Sequence, residues 1–136
     1  MPAILSLAPV EGALKTILEA GIEAIRKKSL KMTSYLMYLV DETLSRQMYD
    51  FTIGTPREAE RRSGHVAIEH KEGMRITEAL RTRGVVPDFR PPNIIRAAPI
   101  PLYNTYYEIW KFVQQLREII DKKEYKQFPK ERKMIS

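Results

Sequence analysis

The 136-residue sequence contains no cysteine. That excludes disulfide frameworks, thiolate catalysis and Cys-based zinc or iron–sulfur sites. Histidine is almost as scarce, with two residues at 65 and 70, too few for a His-rich metal site. Five apart in an extended segment, His65 and His70 fall on opposite faces and do not share an ion, so no metal residue is assigned. Glycines are scattered at 12, 21, 54, 64, 73 and 84, and none builds a phosphate-cradling turn between strand and helix. No nucleophile elbow is present. Long apolar runs are missing too. The stretch from Pro2 to Pro9 has no cationic segment before it and stops at Glu11, unlike a secretory signal and far short of the ~18 apolar residues of a membrane span. These absences predict a soluble cytoplasmic protein with no membrane partner.

What is present suits one domain with a real core, since 43% of the residues are hydrophobic. The net charge of +6 is unevenly placed. Residues 122–136 carry six basic and two acidic residues, whereas residues 1–121 carry 17 basic and 15 acidic. The excess therefore lies in a basic tail, not in a stripe across a fold, which argues against a nucleic-acid partner. The clusters Arg26-Lys27-Lys28 and Arg61-Arg62 read as a solvated helix face and a surface turn.

Along the chain, residues 1–10 read as an extended apolar strap because of Pro2 and Pro9. From 11 to 42 a helical period runs through Leu14, Leu18, Ile22, Ile25, Met32 and Leu36. A straight helix of that length would reach about 48 Å, against about 37 Å for the diameter of a compact domain of this size. It must bend, with Gly21 the natural place, or reach onto a neighbour. The body, 48–121, alternates between strands and helices. Residues 48–53 alternate like a strand. Thr55-Pro56-Arg57-Glu58 fits a capping box opening a helical turn. His65–Glu69 reads as a strand, 71–83 as a helix ending at Gly84, Val85–Phe89 as a short strand, and Asn93–Ala98 as another after a Pro91-Pro92-Asn93 turn. Thr105-Tyr106-Tyr107-Glu108 caps a last helix with Ile109, Val113 and Leu116 inward. After Asp121 a loose polar tail is expected, with Phe128-Pro129 as a local anchor. The predicted class is α+β: a long N-terminal helix and a small antiparallel or mixed sheet of three to four strands, with helices packed on one face.

Arg96 stands out inside Ile94-Ile95-Arg96-Ala97-Ala98-Pro99. Period two places it on the face of Ile94 and Ala98. An arginine in a strand is either turned outward to water or paired, and its planar fork suits a carboxylate. Both readings stand on the residues alone.

The stretch from Gly84 to Thr105, Gly-Val-Val-Pro-Asp-Phe-Arg-Pro-Pro-Asn-Ile-Ile-Arg-Ala-Ala-Pro-Ile-Pro-Leu-Tyr-Asn-Thr, resembles the C-terminal signature of kynureninases. So do Gly21–Leu36 and the bacterial-type strand Gly64-His65-Val66-Ala67-Ile68-Glu69-His70. The resemblance spans nearly the whole chain but only about the last third of such an enzyme. It implies the small domain of an aspartate-aminotransferase-like, pyridoxal-phosphate fold (fold type I). The family hydrolyses L-kynurenine to anthranilate and L-alanine, in tryptophan breakdown and NAD biosynthesis. The implied partners are the large pyridoxal-phosphate-binding domain, a second protomer in a homodimer, and L-kynurenine. The aldimine lysine, the ring-stacking aromatic residue and the pyridine-nitrogen aspartate belong to that large domain. No catalytic or cofactor-binding residue is therefore assigned here, and no covalent cofactor is expected on this chain. The family segment matching Met1-Pro2 follows a Thr or Asn that helps hold the cofactor phosphate, and Met1 stands in that place. One role carries over: the position of Arg96 holds the substrate α-carboxylate. Ser29, Tyr103 and Asn104 match as structural residues. The resulting expectation is an inactive kynureninase fragment that keeps the carboxylate clamp. The rival is a free-standing α+β interaction or regulatory domain without catalysis.

Overall fold

The computed structural model describes residues 4–131. In chain order the elements are α1 (Ile4–Ala20), α2 (Ile22–Leu44), β1 (Thr52–Ile53), β2 (Val66–Glu69), α3 (Gly73–Thr82), β3 (Asp88–Arg90), β4 (Ile94–Ala97) and α4 (Tyr106–Asp121). Single 3-10 turns lie at Ala59–Arg61 and Glu124–Gln127. The strands form one antiparallel sheet in the order β1-β2-β4-β3. This is the expected α+β layer.

Alternation along the strands divides the sheet into two faces. Val66, Ile68 and Ile95 are fully buried and join Met32 and Leu36 of α2, Ile76 and Leu80 of α3, and Val113 and Leu116 of α4 in one core. The opposite face carries Ala67, Glu69, Asp88, Arg90, Ile94 and Arg96, none of them fully buried. Because side chains alternate at period two, a slip of one residue would exchange these sets. Burial of Ile95 and Ile68 therefore fixes Arg96 on the open face.

Two helix ends form as expected, and both are local. Thr105 Oγ1 accepts from the Glu108 N–H at 3.2 Å, capping α4. Gly84 takes φ +78° after α3, with Gly84 N–H donating to Arg81 O and Val85 N–H to Leu80 O. This is a Schellman closure that a side chain at 84 would strain.

The expected 11–42 helix is interrupted at Gly21, which adopts φ +82°. The extended strap over 1–10 is corrected: α1 begins at Ile4 and runs through Pro9, while residues 1–3 lie outside the described residues. A single proline removes one backbone bond from a 17-residue helix, and propagation through the remaining residues continues past it. α1 buries none of its residues.

Three other expectations change. The strand over 48–53 shrinks to Thr52–Ile53, because residues 45–50 turn back: Tyr49 and Asp50 N–H groups donate to Arg46 O and Asp50 takes φ +60°. Tyr49 and Phe51 are still buried, so the alternating burial comes from a turn. Thr55 does not cap a helix. Its hydroxyl accepts from the Ala67 N–H at 2.7 Å, tying the loop to β2, and the helical turn begins only at Ala59. The strand expected over Val85–Phe89 starts at Asp88, since Val85 is used to close α3.

The tail is not loose where it is described. Arg83 holds Glu124 through Nε (3.0 Å) and Nη2 (2.6 Å) and Glu118 through Nη1 (2.9 Å). These carboxylates raise the Arg83 pKa above its ordinary value, the Glu124 hydrogen bond contributing most. Arg75 donates to Phe128 O at 2.8 Å, and Tyr125 and Phe128 pack against the core. Residues 132–136 lie outside the described part.

Candidate functional site

Arg96 sits in the second-from-edge strand β4, directly opposite Ala67 of β2 and Asp88 of β3. Ala67 is small and offers the guanidinium no side-chain acceptor on the β2 side. On the other side Arg96 Nη2 donates to Asp88 Oδ2 at 2.5 Å. The same oxygen accepts from Arg90 Nε at 2.8 Å. Two guanidinium groups therefore converge on one carboxylate. Arg90, then Arg96, hold the Asp88 carboxyl below the usual carboxylate range. No other acceptor among the described residues engages Arg96. Its side chain is 35% exposed. The outward orientation and the paired state, alternatives in the sequence, hold together.

Asp88 was not singled out from the sequence, although a signal existed. A β3–β4 hairpin centred on Pro92 pairs residue 90 with 94 and 88 with 96. Only the antiparallel pairing makes that arithmetic meaningful.

The chain beyond Arg96 is tied down by side chains that looked solvated. Lys28 Nζ donates to Pro101 O at 2.5 Å and to Asn104 O at 3.4 Å. Asn104 Oδ1 accepts from the Ile100 N–H at 2.7 Å, and Asn104 Nδ2 donates to Glu108 at 2.7 Å. Arg26 Nη2 donates to Ala59 O (2.9 Å) and Arg62 O (2.8 Å). Arg62 reaches Arg57 O at 2.6 Å, Leu30 O at 3.0 Å and the Ser34 hydroxyl. Reading Arg26-Lys27-Lys28 as a solvated face thus holds for Lys27 alone, and Arg62 is a clamp more than a surface turn. Ser29 is buried beside Gly64, whereas Tyr103 is 73% exposed and its hydroxyl has no hydrogen-bond partner among the described residues.

A groove of about 500 Å³ runs between Val85–Pro87, Ala97–Pro99 and the first half of α4. Arg96 does not line it. The two histidines lie apart in role. His65 Nδ1 is 2.8 Å from the Ser63 hydroxyl. His70 is buried: its Nδ1 accepts from the Glu72 N–H (2.9 Å), so its Nε2–H donates to Tyr49 O (2.9 Å). Both ring nitrogens of His70 are committed. Among the described residues no group of three acidic or histidine side chains could hold a metal ion, and no helix is long and apolar enough to cross a membrane.

The lysines bear on pyridoxal phosphate. Among the described residues all are exposed except Lys28, whose ammonium is committed to backbone carbonyls. An aldimine lysine needs a desolvated position beside its cofactor. Among the described residues no lysine fits that role.

Residues 25–116 match the family described as the kynureninase C-terminal domain. Curated relatives named kynureninase from Geobacillus thermodenitrificans, Bacillus cereus (strain ATCC 10987) and Shouchella clausii are each 50% identical over 135 residues. In each comparison 99% of this chain aligns with 31% of the relative, so the chain spans about a third of the length of these proteins. With the family match covering more than half of its length, the chain belongs to the family of kynureninase C-terminal domains.

Proposed function

We propose that this domain supplies the substrate-carboxylate contact of a pyridoxal-phosphate-dependent kynureninase. The enzyme would hydrolyse L-kynurenine to anthranilate and L-alanine, in tryptophan breakdown and NAD biosynthesis, as a cytoplasmic homodimer. Arg96 would hold the α-carboxylate. The cofactor, when bound in the large domain, supplies the electron sink. The part of this chain is to bind and orient. The supporting observation is the placement of Arg96: on the open sheet face, beside small Ala67, with only one terminal nitrogen engaged. A guanidinium with a free edge offers two parallel donors to a carboxylate.

The test is Arg96→Lys and Arg96→Ala in a full-length kynureninase carrying this domain. Lysine keeps the charge and loses the fork, so it should weaken binding, and alanine should weaken it further. A charge-assisted hydrogen bond contributes about 1.5–3 kcal/mol, so kcat/KM should fall at least about tenfold. Cofactor absorbance should not change. If Arg96→Ala leaves kcat/KM within about twofold of the parent, Arg96 does not bind the carboxylate.

A further inference from the structure

The open sheet face holds a second device that deepens the carboxylate reading and rests on it. Arg96 is a long, half-buried side chain on the open sheet face, and small Ala67 opposite it on β2 offers no side-chain hydrogen bond to fix its rotamer. Left free, it would have to be ordered by the substrate at each binding event, which weakens affinity. Asp88 removes that freedom. It stands directly opposite Arg96 in the β3–β4 register, and its Oδ2 takes Arg96 Nη2. Arg90 donates to the same oxygen through Nε.

The contact is made through one carboxylate oxygen to one guanidinium nitrogen. A two-oxygen pairing would fill a face of the fork and compete with a substrate. This one leaves the remaining N–H groups without an acceptor among the described residues. The charge count agrees. Within the cluster of Arg90, Arg96 and Asp88, two guanidinium groups and one carboxylate leave one positive charge, the complement of one further carboxylate. Glu69 lies on the same face in the next row, opposite Ile94, and its carboxylate accepts from the Thr52 hydroxyl at 3.4 Å. It forms no ion pair with Arg90 or Arg96 among the described residues.

We propose that Asp88 is a positioning residue: it holds Arg96 through one Nη2 N–H so that the remaining N–H groups, the second Nη2 N–H among them, present a fork to the substrate α-carboxylate, and Arg90 holds Asp88 in turn. Asp88 touches neither substrate nor reacting atoms in this scheme and acts only through Arg96.

The experiment compares Asp88→Asn, Asp88→Ala, Arg90→Gln and Arg96→Ala in a full-length kynureninase carrying this domain. Two probes are used, L-kynurenine as substrate and its decarboxylated amine as a competitive inhibitor. Asp88→Ala should raise KM for L-kynurenine about three- to tenfold, a size expected for coupled neighbours, with kcat within about twofold. Asp88→Asn and Arg90→Gln should shift KM in the same direction by less. The inhibition constant of the amine should not change, because it lacks the group Arg96 receives. In the Arg96→Ala background, Asp88→Ala should add nothing. A rise in KM for Arg96→Ala with none for the Asp88 variants overturns the positioning role and leaves the carboxylate reading standing. If Arg96→Ala also has no effect, that reading itself falls. A lower KM in Asp88→Ala marks Asp88 as a competitor for Arg96 and overturns the proposal. So does a loss falling equally on the amine, which marks a merely structural residue.

Discussion

Ile94 and Ile95 are adjacent in sequence and identical in chemistry, and the sheet puts them on opposite faces. Ile95 is fully buried in the core between β2 and β3. Ile94 is half-buried on the face of Arg96. Truncation to alanine removes the same atoms at each site. At Ile95 it should leave a cavity in a close-packed core, costing about 3–4 kcal/mol. At Ile94 the side chain loses partial burial and some strand preference, about 1 kcal/mol. For a domain of this size one kcal/mol corresponds to about 3–4 °C in melting temperature. Ile95→Ala should therefore lower Tm by about 9–16 °C and Ile94→Ala by about 3–4 °C. Urea unfolding followed by circular dichroism on the purified chain gives both free energies, and a calorimetric scan gives both temperatures. Equal losses at the two positions, or the larger loss at Ile94, would refute the facing assigned to β4. Arg96 would then no longer be on the open face, and its proposed role would fall with it.

Three further outcomes can be measured on the same chain. Burial pushes the His70 pKa down, while its bond to Tyr49 O and the charges of Asp50 and Glu72 oppose that and Lys71 adds to it. The unfolded chain then binds the proton first, so stability should hold above about pH 6.5 and fall as pH drops below it, by up to about 1.4 kcal/mol per pH unit. His70→Gln should flatten that slope, and an unchanged slope would count against the neutral, doubly bonded imidazole. Leu7, Val10, Leu14 and Leu18 form an exposed apolar stripe on α1, which should cause self-association or dye binding at micromolar concentration. Leu14→Glu with Leu18→Glu should abolish both, whereas a monodisperse parent monomer that binds no dye would contradict the idea. Incubation with pyridoxal phosphate, borohydride reduction and peptide mapping should label lysines weakly and at scattered positions. One stoichiometrically labelled lysine would overturn the assignment of the cofactor site to another part of the enzyme.

Some of this architecture is legible in the sequence because its causes lie within a few residues. A threonine three residues before a glutamate caps α4. A glycine whose positive φ costs nothing closes α3, and another parts α1 from α2. Period-two alternation put Arg96 with Ile94, and the long motif from Gly84 to Thr105 pointed to the family. The tertiary structure decided everything that depends on a partner far along the chain. Thr55 had a helix to cap in the sequence and instead caps a strand N–H twelve residues away. Arg26, Lys28 and Arg62 looked like solvated cations, yet Arg26 and Lys28 donate to loop carbonyls and Arg62 to a carbonyl of α2, partners that only the folded chain brings near. Residues 48–53 alternate like a strand, but the chain leaving α2 must reverse at Asp50 to reach the sheet. Asp88 acquires its meaning only from the register that sets it against Arg96. Local rules choose caps, breaks and periods from neighbouring side chains, whereas the pairing of strands is chosen by which faces can be buried together.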